Sequence, residues 1–236
     1  RQFVDRGEPV LLYGRGAVSG SAWYKWTRSG LLAAYGKRRV NAVPSHVIVS
    51  DQRRGKTSLG TSLAEYLEDA TGRPSDPADD DPPYVFGRAA HFSKNLTDDI
   101  TVAPYFGDAS RFSWSTATRR ERALFFLGPA HSGAGFHAHY AAWNAVVYGR
   151  KRWLVMPPQA HIGAPPTNGE GQNQTVLALL EWLTRQNLNY AFRPLDCVQE
   201  AGTLLFIPEG WSHATINLED TVGLSMELGP STLASG

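Results

Sequence analysis

Gly133-Ala134-Gly135-Phe136-His137-Ala138-His139 is the stretch on which the reading of this chain turns. A glycine-rich run gives way to two histidines one residue apart. On a strand, side chains at i and i+2 leave the same face, so both imidazoles can reach one ion. A third histidine, His213, follows far downstream, after the apolar run Thr203–Ile207 and the tight turn Pro208-Glu209-Gly210. In a fold of two sheets a distant strand can deliver that ring to the pair, leaving the other side of the ion open to small molecules. On spacing alone, His137 and His139 read first as surface-strand or core histidines with hydrogen-bonded rings, and the words around them have to overturn that. His46, His91, His131 and His161 have no partner at ligand spacing and keep that plain reading.

Working outward, short apolar runs recur from Ala123 onward, separated by turn residues. They are Ala123–Leu127, Ala145–Tyr148, Trp153–Met156, Thr203–Ile207, His213–Asn217 and Val222–Leu228. Such spacing predicts an antiparallel sandwich or barrel. One helical insertion, Val176 to Gln186 with Leu177, Leu179, Leu180 and Leu183, interrupts it. Upstream the texture is mixed α/β. Val10-Leu11-Leu12-Tyr13 reads as a strand ended by Gly14 and Gly16, and Ser21 to Tyr35 as a helix stopped at Gly36. Val40–Val43 and His46–Val49 read as short strands, Thr61 or Ser62 as the cap of a helix through Leu63, Tyr66 and Leu67. Thr71 to Pro83 is a loop rich in Pro, Asp and Gly, followed by the strand Tyr84-Val85-Phe86. No linker and no internal repeat divides the chain. The expectation is one domain over residues 1–236, an N-terminal α/β portion (1–122) leading into a β core (123–228).

The 236 residues suffice for one well-filled core, and 42% apolar with 19% charged residues is ordinary globular composition. Lys and Arg number 23 against 22 Asp and Glu, so no electrostatic footprint for nucleic acid exists. Lys37-Arg38-Arg39 and Arg53-Arg54-Gly55-Lys56 read as solvated surface. No window approaches the roughly 20 apolar residues of a membrane span. The single cysteine, Cys197, excludes an internal disulfide and a cysteine-based zinc site. Gly55-Lys56-Thr57 ends like a phosphate loop but has Ser50 at the required first glycine; Gly14-Arg15-Gly16 has Ser19 at the third. Both are turns. The sequence opens at Arg1 with no apolar leader run, as expected of a mature or trimmed piece. Asn95-Leu96-Thr97 and Asn173-Gln174-Thr175 are glycosylation acceptors if the chain is secretory.

The words around the histidines carry a resemblance. The glycine-rich run through His139 is followed by Trp143-Asn144-Ala145-Val146-Val147-Tyr148-Gly149-Arg150-Lys151-Arg152-Trp153 and by Pro157-Pro158. Later come Ala201-Gly202-Thr203-Leu204-Leu205-Phe206-Ile207-Pro208-Glu209-Gly210-Trp211-Ser212-His213 and Asn217-Leu218. In order and spacing these resemble the JmjC family of cupin-fold, Fe(II)- and 2-oxoglutarate-dependent oxygenases. Tyr84-Val85-Phe86-Gly87 extends the likeness thinly toward the N-terminus. An endoplasmic-reticulum-lumenal branch and the lysyl-hydroxylase branch are the most similar. The first shares Tyr148-Gly149-Arg150-Lys151-Arg152-Trp153 and Pro194-Leu195-Asp196-Cys197; the second shares Trp143-Asn144-Ala145.

The resemblance implies a mainly β fold with flanking helices, the double-stranded β-helix or jelly roll. It implies a catalytic metal held by His137, His139 and His213, and 2-oxoglutarate held by Lys151, Asn144, Tyr84 and Ser225. Lys151 falls where the family pairs an ammonium with the distal carboxylate. Trp143, Trp153 and Trp211 are expected as core and pocket wall. The implied partner is a protein or peptide whose side chain is hydroxylated, without nucleic acid, and the implied compartment is the endoplasmic reticulum lumen, with cytoplasm or nucleus as the alternative.

One position departs from the pattern. Where typical members carry Asp or Glu, this chain has His139, and no acid lies between Ala134 and Asn144 to replace it. Three imidazoles suit Fe(II), and equally Zn(II) or Cu(II). Three readings follow: an oxygenase, a catalytically impaired binding module that keeps the metal, and a three-histidine metalloenzyme that does not use 2-oxoglutarate.

Overall fold

The fold is described from a computed structural model, over residues 6–14, 16–48, 60–72, 81–93, 95–102, 122–159 and 194–228. The strands, in chain order, are β1 (Val10–Leu12), β2 (Val18–Ser19), β3 (Arg39–Val40), β4 (Ala42–Pro44) and β5 (Thr61–Ser62). They continue with β6 (Pro83–Arg88), β7 (Thr101–Val102), β8 (Ala123–Gly128), β9 (Gly133–His137) and β10 (Ala142–Tyr148). The last are β11 (Arg150–Met156), β12 (Leu195–Glu200), β13 (Leu204–Ile207), β14 (Ser212–Asn217) and β15 (Thr221–Glu227).

Seven of them form one sheet in the order β1-β13-β10-β15-β8-β6-β4, and four form a second in the order β12-β11-β14-β9. From β8 onward the chain passes back and forth between the two sheets, which makes the double-stranded β-helix. The passage from β10 to β11 takes one residue, Gly149, at φ +83°. A Cβ there would lie 2.2 Å from the Asp220 carbonyl oxygen, so the corner needs glycine both for its backbone and for its space. Strands β1, β4 and β6, from the N-terminal portion of the chain, complete the large sheet.

Period-two burial gives the large sheet two apolar faces. On one, Phe125, Leu127, Trp143, Ala145, Leu204, Phe206, Leu224 and Met226 pack against Trp26, Leu31, Leu63 and Leu67. Each such side chain contributes roughly 1.5–3 kcal/mol on burial, so this face fastens the N-terminal helices to the sheet. On the other face, Tyr84, Phe126 and Val146 meet Ala134, while Leu205 and Ile207 meet Trp153 and Val155 of the small sheet. The functional cavity opens between these two inter-sheet clusters.

The expected helix Ser21–Tyr35 is two, Ala22–Lys25 and Arg28–Tyr35. The break falls where the Thr27 hydroxyl accepts the Gly30 amide at 3.1 Å and caps the second helix. Ser62 caps the helix Leu63–Ala70 through a capping box with Glu65. Backbone and hydroxyl donation from Ser62, then Thr61, pulls the Glu65 carboxyl down to about 2. The strand expected at His46–Val49 is not formed. Ser45–Val47 is a 3₁₀ turn, because its polar groups are claimed from elsewhere. Asp81 accepts the His46 amide at 3.1 Å and pairs with its ring, and the Ser45 hydroxyl accepts the Gly133 amide at 2.8 Å. The helix expected at Val176–Gln186, the Arg53–Lys56 cluster and the Asn173 sequon lie outside the described residues. Among the described residues no helix is long and apolar enough to cross a membrane.

A candidate metal centre between the two sheets

The site begins with an irregularity in the small sheet. His137 on β9 is the cross-strand partner of His213 on β14, yet two residues along β14, Thr215 faces Ala134, three residues back on β9. The extra residue on β9 is a bulge, and it turns both Ala134 and His137 toward the cavity, which an even pleat would forbid. Gly133 anchors it: a Cβ there would sit 2.0 Å from the Thr215 carbonyl oxygen.

His139 reaches the same place by another route. The expectation that both histidines ride one strand is not met, because β9 ends at His137. His139 lies in the segment beyond, where its carbonyl accepts the Gly210 amide at 3.2 Å and so ties it to the turn before His213. The three rings nevertheless converge. Centroids stand 4.3 Å apart for His137 and His213, 4.8 Å for His139 and His213, and 5.4 Å for His137 and His139. Their candidate donor atoms all lie within 4.8 Å of one another.

Hydrogen bonding fixes which nitrogen faces an ion. The Nδ1 atoms of His137, His139 and His213 lie 2.8, 2.6 and 3.0 Å from the carbonyl oxygens of Gly135, Tyr140 and Trp211. A carbonyl only accepts, so each Nδ1 carries the proton and each Nε2 the lone pair. This is the tautomer and orientation a metal ligand needs. Burial first, then the neighbouring His137 and His139, hold the His213 ring well below its usual pKa, hence neutral. The donor set therefore fits a divalent cation.

The three rings open onto a cavity of about 580 Å³ whose lining also includes Tyr84, Asn144, Lys151 and Ser225. Lys151 is 2% exposed. Its Nζ donates to the Tyr84 hydroxyl at 2.8 Å and sits 3.7 Å from the centroid of the Phe126 ring. No carboxylate faces it among the described residues, and burial pulls its pKa down to about 7. Burial likewise pushes the Tyr84 phenol well above its usual value, keeping it protonated. Asn144 and Ser225 are cross-strand partners on β10 and β15. Asn144 Oδ1 is buried without a hydrogen-bond partner among the described residues, while Ser225 Oγ donates to the Trp143 carbonyl at 3.2 Å. A buried ammonium beside a cavity, with no counter-charge among the described residues, fits a small anion such as a dicarboxylate.

All seven expected site residues thus line one cavity. Trp143 and Trp153 form part of its wall, as expected; Trp211 packs on the inter-sheet cluster of Trp153 and Ile207 and donates its indole N–H to the Gly7 carbonyl at 3.0 Å. The sequence reading missed Arg88, His91, Arg122, Tyr140 and Glu227, which also line it. Glu227 had a legible signal: it follows Ser225 by two on β15 and so shares its face.

A family profile described as a cupin-like domain matches residues 1–226. JmjC domain-containing protein 8 of Mus musculus is 31% identical over 207 residues, covering 86% of this chain and 68% of its own length. The chain belongs to the JmjC cupin family. An arginine-specific demethylase of Arabidopsis thaliana is 27% identical over 233 residues, 95% of this chain but 42% of that protein. A 2-oxoglutarate and iron-dependent oxygenase of Danio rerio is 32% identical over 116 residues, 48% of this chain and 28% of that protein. This JmjC chain therefore spans less than half of the Arabidopsis and zebrafish relatives and about two thirds of the mouse one.

Proposed function

We propose that this JmjC domain is an Fe(II)- and 2-oxoglutarate-dependent oxygenase that hydroxylates a side chain of a protein or peptide. The observation that carries the reading is the juxtaposition, in one cavity, of three Nε2-presenting histidines and a buried lysine with no counter-ion among the described residues. A three-histidine site that did not use a dicarboxylate would have no reason to keep that ammonium out of water. The zebrafish relative, named for both iron and 2-oxoglutarate, supports the same cofactors here.

In this proposal His137, His139 and His213 hold the iron through Nε2. Lys151 takes the distal carboxylate of 2-oxoglutarate, and Tyr84 shares it as a second donor. Asn144 and Ser225 position the cosubstrate from the opposite sheet. Iron bound there supplies the electrons that let O₂ react, with overall conversion of 2-oxoglutarate to succinate and CO₂ and of a C–H bond to C–OH. Phe126 and Trp153 keep the carboxylate end dry, which strengthens the Lys151 contact. A lumenal setting belongs to the proposal, supported by the lumenal-branch resemblance and by the exposed Asn95 that heads the sequon Asn95-Leu96-Thr97.

The test is anaerobic loading with Fe(II), addition of 2-oxoglutarate, and a search for the visible metal-to-ligand charge-transfer band, followed by succinate measurement on admitting O₂. The proposal expects the band, and succinate at least at the slow uncoupled rate. Absence of both, in protein shown to be folded, would sink it.

A further inference from the structure

Three neutral imidazoles leave a divalent ion one unit more positive than a site with two histidines and a carboxylate. Sequence near His139 offers no compensating acid. The fold brings one from the other sheet: Glu227, the last residue of β15 and the only carboxylate among the described residues that line the cavity. Its backbone is fixed by pairing with Ala142 and by the Leu228 amide, which donates to the Ala141 carbonyl at 2.7 Å. Its Oε1 stands 3.7 Å from Nδ1 of His139, and it makes no other ion pair among the described residues. That is the N–H edge of the ring, the edge that also donates to Tyr140 at 2.6 Å, and it is opposite the lone pair. Glu227 thus sits behind the ligand rather than beside the ion. Tyr140 takes the N–H and orients the ring, while the carboxylate at 3.7 Å acts on it through charge, making the imidazole a better donor to a cation.

We propose that Glu227 is a positioning residue of the metal centre, acting through His139 to restore the negative charge that a histidine in the acid's place removes. The inference rests on the metal-centre reading above. Three observations argue against a purely structural role. The side chain is 40% exposed, it is the one acid among the described residues lining the cavity, and it faces the one histidine that departs from the family pattern.

The experiment is titration of the metal-free chain with Co(II), read by its visible d–d absorption, which reports affinity and ligand field without turnover. Glu227→Gln is expected to weaken Co(II) by about 3–5-fold, the effect of a part-exposed charge, and to shift the d–d band, with the melting temperature of the metal-free protein unchanged. Glu227→Lys, which keeps a long polar chain at the rim, is expected to lose more. In a His139→Asp background, where the acid is already a ligand, Glu227→Gln is expected to change affinity by no more than about twofold, because two nearby carboxylates gain nothing from each other. Equal Co(II) affinity of the wild type and Glu227→Gln would overturn the inference, as would the same loss in both backgrounds. If the wild type itself binds no Co(II), the metal-centre reading fails first and takes the inference with it.

Discussion

At Lys151 an ammonium group is enclosed by Tyr84, Phe126 and Trp153, with one hydroxyl to donate to and no acid among the described residues. Its pKa, about 7 in the fold against the usual 10.5, states the cost. The folded state binds the proton more weakly than the unfolded chain, so the penalty is full below about pH 7. It is relieved as pH rises from there toward 10.5, and stability rises with it. Lys151→Met is therefore expected to stabilise the ligand-free protein at pH 6 by about 1–4 kcal/mol, the range seen when buried charges give way to apolar groups. The gain should shrink as the pH is raised toward 10. The same variant should lose 2-oxoglutarate binding, measured by calorimetry with Fe(II) replaced by a redox-inert divalent ion. A Lys151→Met protein less stable than wild type at pH 6 would mean that the ammonium has a counter-charge.

Among the elements, β9 shows what a sequence conveys and what it conceals. Strands such as β8, β11, β13 and β15 announce themselves by apolar runs between turn residues. β9 is Gly-Ala-Gly-Phe-His, with no alternation, and its form is set by contact with β14 rather than by its own propensity. β12 was missed because Leu195-Asp196-Cys197 mixes polarity: Leu195 and Asp196 are exposed on an edge strand, where Asp196 pairs with Arg152 at 2.6 Å. The His46–Val49 strand failed because Asp81, far along the chain, takes the amide a ladder would have used. The site followed the same divide. The histidines and Lys151 were marked by neighbouring motif words; Glu227 was marked only by its spacing from Ser225, and its place beside His139 depends on the pairing of β15 with β10. Two substitutions separate the roles of the elements. Gly133→Ala forces a Cβ onto the Thr215 carbonyl at the bulge, so it is expected to cost about 1–3 kcal/mol and also to weaken metal binding. Ser62→Ala removes a helix cap distant from the cavity, so it is expected to cost about 0.5–2 kcal/mol with metal affinity unchanged. Denaturant melts paired with Co(II) titration distinguish them. Undiminished affinity in Gly133→Ala would show that the bulge does not aim His137.

Across the whole molecule, the cavity is where the two sheets are least committed to one another. Elsewhere they meet through apolar clusters, but here His137, Lys151 and His213 of the small sheet face Tyr84, Asn144 and Ser225 of the large one. A dicarboxylate held by Lys151 and Tyr84 at one end and by the metal centre at the other would join both sheets at once. Metal alone satisfies only the histidines, and 2-oxoglutarate alone meets Lys151 but leaves its keto acid end unheld. Binding of the two is therefore expected to be cooperative, each raising the other's affinity by the same factor. In anaerobic thermal melts, a ligand at about 100 times its dissociation constant stabilises by about 2.7 kcal/mol, or roughly 5–10 °C for a chain this size. At fixed concentrations, Fe(II) with 2-oxoglutarate should raise the midpoint by more than the sum of the two separate shifts. Lys151→Met should abolish that excess and keep the shift due to metal alone. Simple additivity in the wild type would separate the lysine from the metal and leave the two ends of the cavity as independent sites.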